Sequence, residues 1–259
     1  MDYQLKGRLA CVFAGAHGIG AATANLLAAE GATVIVADRD AEALAEHGKG
    51  WAGSVAADLA TADGVTAAVE YVLDRFGGPP DILINNLGVG NAAPFESLTD
   101  DAWAASFQVN LMGAVRASRA LLPLMAARGS GVVVNTGSDL AKQPEPAFMD
   151  YGAFKAGLLY LTKALAKQYA PAVRVNAVLP GPIWSRMWTR PGGLVDQITA
   201  QYGLDREASV QQFLRDRQMP MGIGHAEDVA HAAVFLASPL ARFISGASLD
   251  IGGTIRGLI

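Results

Sequence analysis

A single cysteine, Cys11, stands in 259 residues, so no internal disulfide can form, and its place in an apolar run reads as a small buried core residue. Histidine is nearly as scarce. His17, His47, His225 and His231 are scattered, no His/Cys cluster shows ligand spacing, and no metal is expected. No uncharged apolar run approaches the ~18 residues a membrane span needs. Met1-Asp2-Tyr3-Gln4 carries no basic stretch leading into an apolar one, so a soluble, cytoplasmic protein with no membrane partner is expected. Charged residues make up only 17%, the net charge is −4, and no long basic run exists, which argues against a nucleic-acid partner. Plentiful instead are apolar residues, at 51%, and glycine, at 29. That balance excludes a disordered chain, and the length suits one α/β domain, residues 1–259, around a large core.

Short Val- and Ile-rich runs alternate with alanine-rich amphipathic stretches. Strands are predicted at 9–13, 33–37, 53–57, 82–85, 132–135, 173–178 and 247–251, and helices near 18–30, 41–47, 63–77, 100–127, 152–169 and 226–237. Strands that are apolar throughout, separated by helices, indicate a parallel sheet covered on both faces, and right-handed crossovers make it a doubly wound, Rossmann-like α/β fold of about seven strands. Residues 184–222 break the rhythm with Trp184, Met187, Trp188, Pro191 and Gly192-Gly193, then a helix-like stretch from Asp205 to Arg217. Such an excursion reads as a substrate lid or as an ordinary surface insertion.

After the first strand comes Phe13-Ala14-Gly15-Ala16-His17-Gly18-Ile19-Gly20, leading into a helix. Glycines there let the backbone approach a pyrophosphate and aim the helix N-terminus at it. Asp38 ends the second predicted strand, where a carboxylate can accept from both ribose hydroxyls of an adenosine. Asp58, with Leu59, ends the third, near where an adenine edge would lie. Each aspartate alone also suits a turn or helix cap. A 2′-phosphate would be repelled by Asp38, which favours NAD over NADP, while Arg39 and His17 offer a cationic alternative.

Tyr151 and Lys155 lie four residues apart on one predicted helix face. A free phenol is a poor base at neutral pH, and a fixed positive charge nearby is expected to lower its pKa, making Tyr151 a proton acceptor for an alcohol or donor to a ketone. Ser138 follows the fifth strand and can hold a substrate oxygen beside the phenol. Asn110, in the otherwise apolar predicted helix 100–127, needs hydrogen-bond partners; a water bridging it to Lys155 would supply one. Singly, a Tyr/Lys pair reads as a solvated face and Ser138 as a turn residue. It is the set that points to chemistry.

In these features the sequence resembles the short-chain dehydrogenase/reductase family over roughly residues 5–253. Ala14, Gly15, His17, Gly18, Ile19 and Gly20 are similar to its glycine motif, Asn85-Asn86-Leu87-Gly88 to its Asn-Asn-Ala-Gly motif, and Pro180-Gly181-Pro182-Ile183 to the turn that meets the nicotinamide carboxamide. The resemblance implies Asn110, Ser138, Tyr151 and Lys155 as catalytic residues, with Tyr151 and Lys155 also touching the cofactor. It further implies a metal-free reaction between NAD(P) and a small secondary alcohol or ketone, and a homotetramer built through the helices near 100–127 and 152–169, whose apolar faces equally suit core. Phe13 and Ala14 stand where the family usually has Thr and Gly, Leu87 where it has Ala, and Trp184-Ser185 where a Thr is usual. The reaction expected is hydride transfer between NAD and an alcohol/ketone pair. Alternatives are an NADPH-dependent 3-oxoacyl-type ketoreductase and a catalytically silent nucleotide-binding sensor or scaffold. Trp184, Met187 and Trp188 suggest an apolar pocket wall, with Asp139, Gln143 and Phe148 at its border.

Overall fold

The computed structural model describes residues 2–253. Seven parallel strands run β1 (Leu9–Phe13), β2 (Thr33–Asp38), β3 (Gly53–Ala56), β4 (Ile82–Asn85), β5 (Gly131–Thr136), β6 (Val173–Pro180) and β7 (Ser248–Ile251). They form one sheet in the order β3-β2-β1-β4-β5-β6-β7. The helices are α1 (Gly18–Ala29), α2 (Ala41–His47), α3 (Ala62–Phe76), α4 (Asp100–Phe107), α5 (Gly113–Arg128), α6 (Met149–Tyr169), α7 (Arg186–Thr189), α8 (Leu194–Tyr202), α9 (Arg206–Asp216) and α10 (Ala226–Ala237).

Because successive strand side chains point to opposite faces, each strand supplies two cores. Val12, Val36, Ile84, Val134 and Val178 pack with Ala24, Leu27, Val229 and Val234 of α1 and α10. Cys11, Phe13, Ile35, Leu83, Val133 and Val175 pack with Val69, Val72, Leu121 and Leu122 of α3 and α5. Cys11 is fully buried and its thiol is pushed far up by desolvation. The chain reverses direction across the sheet between β1 and β4, which pair through Phe13 and Asn85. A crevice therefore opens at the carboxyl ends of these strands, where ligands of doubly wound sheets bind.

Two predicted segments differ. The helix expected at 100–127 is interrupted by a wide π-helical turn, Gln108–Met112, that separates α4 from α5 and buries Asn110. Residues 184–222 form three helices closed over a small apolar core of Trp188, Val195, Ile198 and Ile223. Among the described residues no helix is long and apolar enough to cross a membrane, and no group of His, Cys, Asp and Glu is placed to hold a metal ion.

Candidate active site

The turn after β1 is held from three sides. Ala14 N donates to Ala37 O (2.7 Å), Asn86 Nδ2 donates to Ala14 O (2.9 Å), and Ala16 N donates to Asp38 Oδ2 (3.0 Å). Ala14 takes the left-handed backbone at φ +60°, a conformation that disfavours any residue with a Cβ. Gly20 is pressed against Ala14 O, and a Cβ on it would lie 2.6 Å from Asn86 Nδ2 and 2.8 Å from Gly15 Cα. Gly15 is equally closed in, its Cβ position 2.7 Å from Val36. Gly18, at φ +50°, faces open space at the start of α1, where unpaired N–H groups point outward. A nicotinamide dinucleotide fits this cradle: the glycine leaves room and the helix end favours phosphate.

Two contiguous cavities meet there. One, of 430 Å³, is walled by Ala14, His17, Asp38, Arg39, Asp58, the Leu59 segment, and Arg186 and Arg190 of the 184–222 segment. The second, of 450 Å³, extends from Gly18 and Ile19 past Pro180, Gly181 and Ile183 to Ser138, Tyr151 and Lys155, then on to Trp188 and Phe213. Asn86, Leu87 and Gly88 line both. Gly15, Gly20 and Asn110 line neither. The glycines lie beneath the turn, while Asn110 accepts from Val89 N (2.9 Å) and donates to Val89 O (3.0 Å) and Ser106 Oγ (3.1 Å). Protein groups thus satisfy the Asn110 amide, and the water expected to bridge it to Lys155 is not needed for that. Asp58 is exposed and accepts from Ala60 N (3.0 Å), a turn role, and the Leu59 side chain is buried in the core.

At the far rim Asp38 Oδ1 accepts from Asp40 N (3.1 Å), so both its oxygens are engaged by backbone. His17 Nε2 meets Asp40 Oδ2 at 2.7 Å, and Arg186 Nη1 reaches His17 Nε2 (3.0 Å) and Asp40 Oδ2 (3.4 Å). The His17 hydrogen bond, with backbone and Arg186 support, holds the Asp40 carboxyl below its ordinary range.

Tyr151 and Lys155 project from the first turns of α6. Lys155 is 1% exposed, and its Nζ donates to Leu87 O (2.7 Å) and Thr136 O (2.8 Å) while lying 5.6 Å from the Tyr151 ring centroid. A Cβ on Gly88 would sit 3.2 Å from that Nζ, so a glycine is what lets the ammonium approach. Ser138 Oγ donates to Asp139 Oδ1 (2.9 Å) and accepts from Leu140 N (3.2 Å). The expected lowering of the phenol is not what the protein's own groups produce. Burial pushes Tyr151 up to about 12, against a hydrogen bond with Ser138 and with the added push of the Asp139 charge. Burial pushes Lys155 down to about 7. Nζ is turned to two carbonyls, and desolvation dominates the phenol.

Several groups escaped the sequence reading. The carbonyls of Leu87 and Thr136, which fix Lys155, are backbone and leave no trace in residue type. Glu145 and Arg217, joined at 2.7 Å across the second cavity, lie 72 positions apart and carry no local signal.

A dinucleotide-shaped crevice leading to a Tyr/Lys/Ser group, its lysine and serine buried, defines a nicotinamide-dependent oxidoreductase. A family model described as enoyl-(acyl carrier protein) reductase matches residues 13–253, and the chain belongs to the short-chain dehydrogenase/reductase family. It is 36% identical to an uncharacterized oxidoreductase of Bacillus subtilis over 100% of both chains. It is 35% identical to 3beta-hydroxysteroid dehydrogenase 1 of Eggerthella lenta over 96% of this chain and 94% of that one. Among solved structures, L-sorbose reductase of Gluconobacter frateurii, complexed with NADPH and L-sorbose, superposes with a TM-score of 0.92 at 31% identity, covering 100% of each chain. The protein is an NAD(P)-dependent oxidoreductase acting on a secondary alcohol/ketone pair.

Proposed function

We propose that the protein reduces a small neutral ketone, with Tyr151 giving the proton to the carbonyl oxygen, Ser138 fixing that oxygen, and Lys155 and Asn110 holding the site in shape. The observation that carries this reading is the meeting of Lys155, Tyr151 and Ser138 in the second cavity, which joins the first along Asn86, Leu87 and Gly88. A phenol pushed up to about 12 remains protonated at neutral pH and is ready to act as an acid. The bound nicotinamide supplies the hydride in this direction. Its holders are Gly18, Ile19, Asn86, Leu87 and Gly88, with Pro180, Gly181 and Ile183 near the reacting end and Asp38, Arg39, His17 and Asp58 at the adenosine end. Lys155 anchors Leu87 and Thr136, which line the same cavity as the phenol, so the reacting groups need no rearrangement when substrate arrives.

For the cofactor, Asp38 favours NAD. Arg39, His17 and Arg186 around the same rim, together with the NADPH of the sorbose reductase structure, favour NADP at least as strongly. Parallel fluorescence titrations with NADH and NADPH decide between them. Residues 184–222 act as a lid, supported by Arg186 and Arg190 reaching from it to His17, Asp40 and Asn91. Trp188, Ile198 and Phe213 give the substrate cavity an apolar wall, and Asp139 with Glu145, which already takes up Arg217 at 2.7 Å, disfavours an anionic substrate. Cytoplasmic location and a homotetramer belong to the same reading; the 81% exposure of Tyr160 on α6 supports assembly, which sedimentation tests.

Replacing Tyr151 by Phe removes one proton donor with little change in shape. Turnover of a panel of ketones should fall by roughly 10²–10⁴-fold, while cofactor affinity stays within about threefold. Retained turnover in Tyr151→Phe removes the assignment.

A further inference from the structure

The residue after Ser138 is a carboxylic acid set against the reacting groups. Ser138 Oγ donates its proton to Asp139 Oδ1 at 2.9 Å and accepts from Leu140 N at 3.2 Å. A serine hydroxyl has one proton, and an ionised carboxylate only accepts. With that proton committed, Ser138 has none left to offer the Tyr151 phenol, and Ser138, Asp139 and Tyr151 all line the same cavity.

We propose that Asp139 is a positioning residue, which commits the Ser138 proton and places a negative charge behind Tyr151, so that the site is biased toward giving a proton to a ketone rather than taking one from an alcohol. This rests on Tyr151 as the proton donor. A carboxylate bonded to that serine opposes formation of a phenolate in the same cavity, and it withdraws the donor that would otherwise stabilise one. The direction of the Asp139 effect on the phenol is upward, adding to burial.

The groups around Asp139 fit this role. Burial raises its own carboxyl, while the Ser138 hydroxyl, the Leu140 N–H and the Arg217 charge oppose the rise. Arg217, just past α9, is shared with Glu145 at 2.7 Å. Lys142, in the same loop, is spent on Asp250 at 2.9 Å, and Lys155 on α6 is turned to the Leu87 and Thr136 carbonyls. No cation is thus paired with Asp139 alone.

The test reads the phenol directly. The full chain is labelled with carbon-13 at the tyrosine ring carbon bearing the hydroxyl and held with excess NAD⁺ or, separately, NADP⁺. The cationic ring of the bound oxidised nicotinamide pulls the phenol down from its cofactor-free position, and the Tyr151 resonance, identified by its loss in Tyr151→Phe, is followed from about pH 6 to about pH 10.5. Asp139→Asn removes the charge and keeps the acceptor, so the midpoint should fall by roughly one pH unit. Asp139→Ala also frees the Ser138 proton, and its midpoint should fall further. Equal midpoints in the three proteins, or a resonance that stays protonated throughout in all three, overturn the proposal. If the alanine variant fails to fold, the asparagine variant carries the test. Turnover retained by Tyr151→Phe would refute the proton-donor reading separately, because the titration does not depend on turnover.

Discussion

Ala14→Gly offers a quantitative check on the first turn. Ala14 sits at φ +60°, where a Cβ costs roughly 1–2 kcal/mol. Its backbone bonds to Ala37 and Asn86 do not involve the methyl group and survive its removal. Against the relief stands the greater freedom of glycine in the unfolded chain, about 0.4–1 kcal/mol. The difference leaves a net stabilisation of about 0.8 kcal/mol, which for a chain of this size raises Tm by about 2 °C. Gly18→Ala runs the same comparison backwards. Gly18 is at φ +50° with open space around the Cβ position, so the added methyl meets strain and no clash, and Tm should fall by a few degrees. Differential scanning calorimetry of the two variants against the parent is sufficient. If Ala14→Gly leaves Tm unchanged or lowers it, strain at this turn is not the controlling term. Dinucleotide affinity should be equal or slightly tighter in Ala14→Gly, since the turn gains freedom to close on phosphate.

Lys155 gives a pH signature. Its ammonium is pushed down to about 7 in the fold against ~10.4 in an unfolded chain, so between these values the unfolded state binds the extra proton. The penalty for burying the charge is therefore full below about pH 7 and is relieved as pH rises toward 10. Lys155→Met should accordingly be most stable relative to the parent near pH 6 and lose that advantage by pH 9.5; a difference in Tm independent of pH contradicts the assignment. Gly113 lies directly under Leu87, and a Cβ there would press on Leu87 Cδ2 and stand 2.8 Å from Leu59 O. Gly113→Ala should cost about 1–3 kcal/mol by overpacking. Adding Leu87→Ala should restore part of this in urea unfolding, and strictly additive effects would show that the two do not share space.

The sheet and its helices were legible because apolar strands and amphipathic helices write their periodicity into the chain. The 33–37 and 173–178 runs reappear as β2 and β6 with only their ends adjusted. What pattern could not reveal was backbone work. Nothing in Gln108–Met112 announces a π-helical turn, since the surrounding residues are ordinary helix formers. Ala14, Leu87 and Phe13 looked like three separate departures. In the fold Phe13 and Leu87 fill one core, and Leu87 is accommodated by the missing side chain at Gly113. Tyr151 and Lys155 were found through their four-residue spacing. The direction of the phenol's shift was misjudged because desolvation is a property of packing, and the carbonyls that claim the ammonium come from β5 and the loop after β4.

The wide turn at Gln108–Met112 has a further bearing on how the chain tolerates change. A π-helical turn holds about one residue more than an α-helical one, so a single deletion there would join α4 and α5 into one regular helix and leave Ala117, Leu121, Leu122 and Met125, all fully buried in α5, facing the strands they cover. What would be lost is the local widening that sets the Asn110 side chain against Val89. The extra residue thus separates two demands on one helix, so that the loop after β4 can be braced without disturbing the layer beneath the sheet.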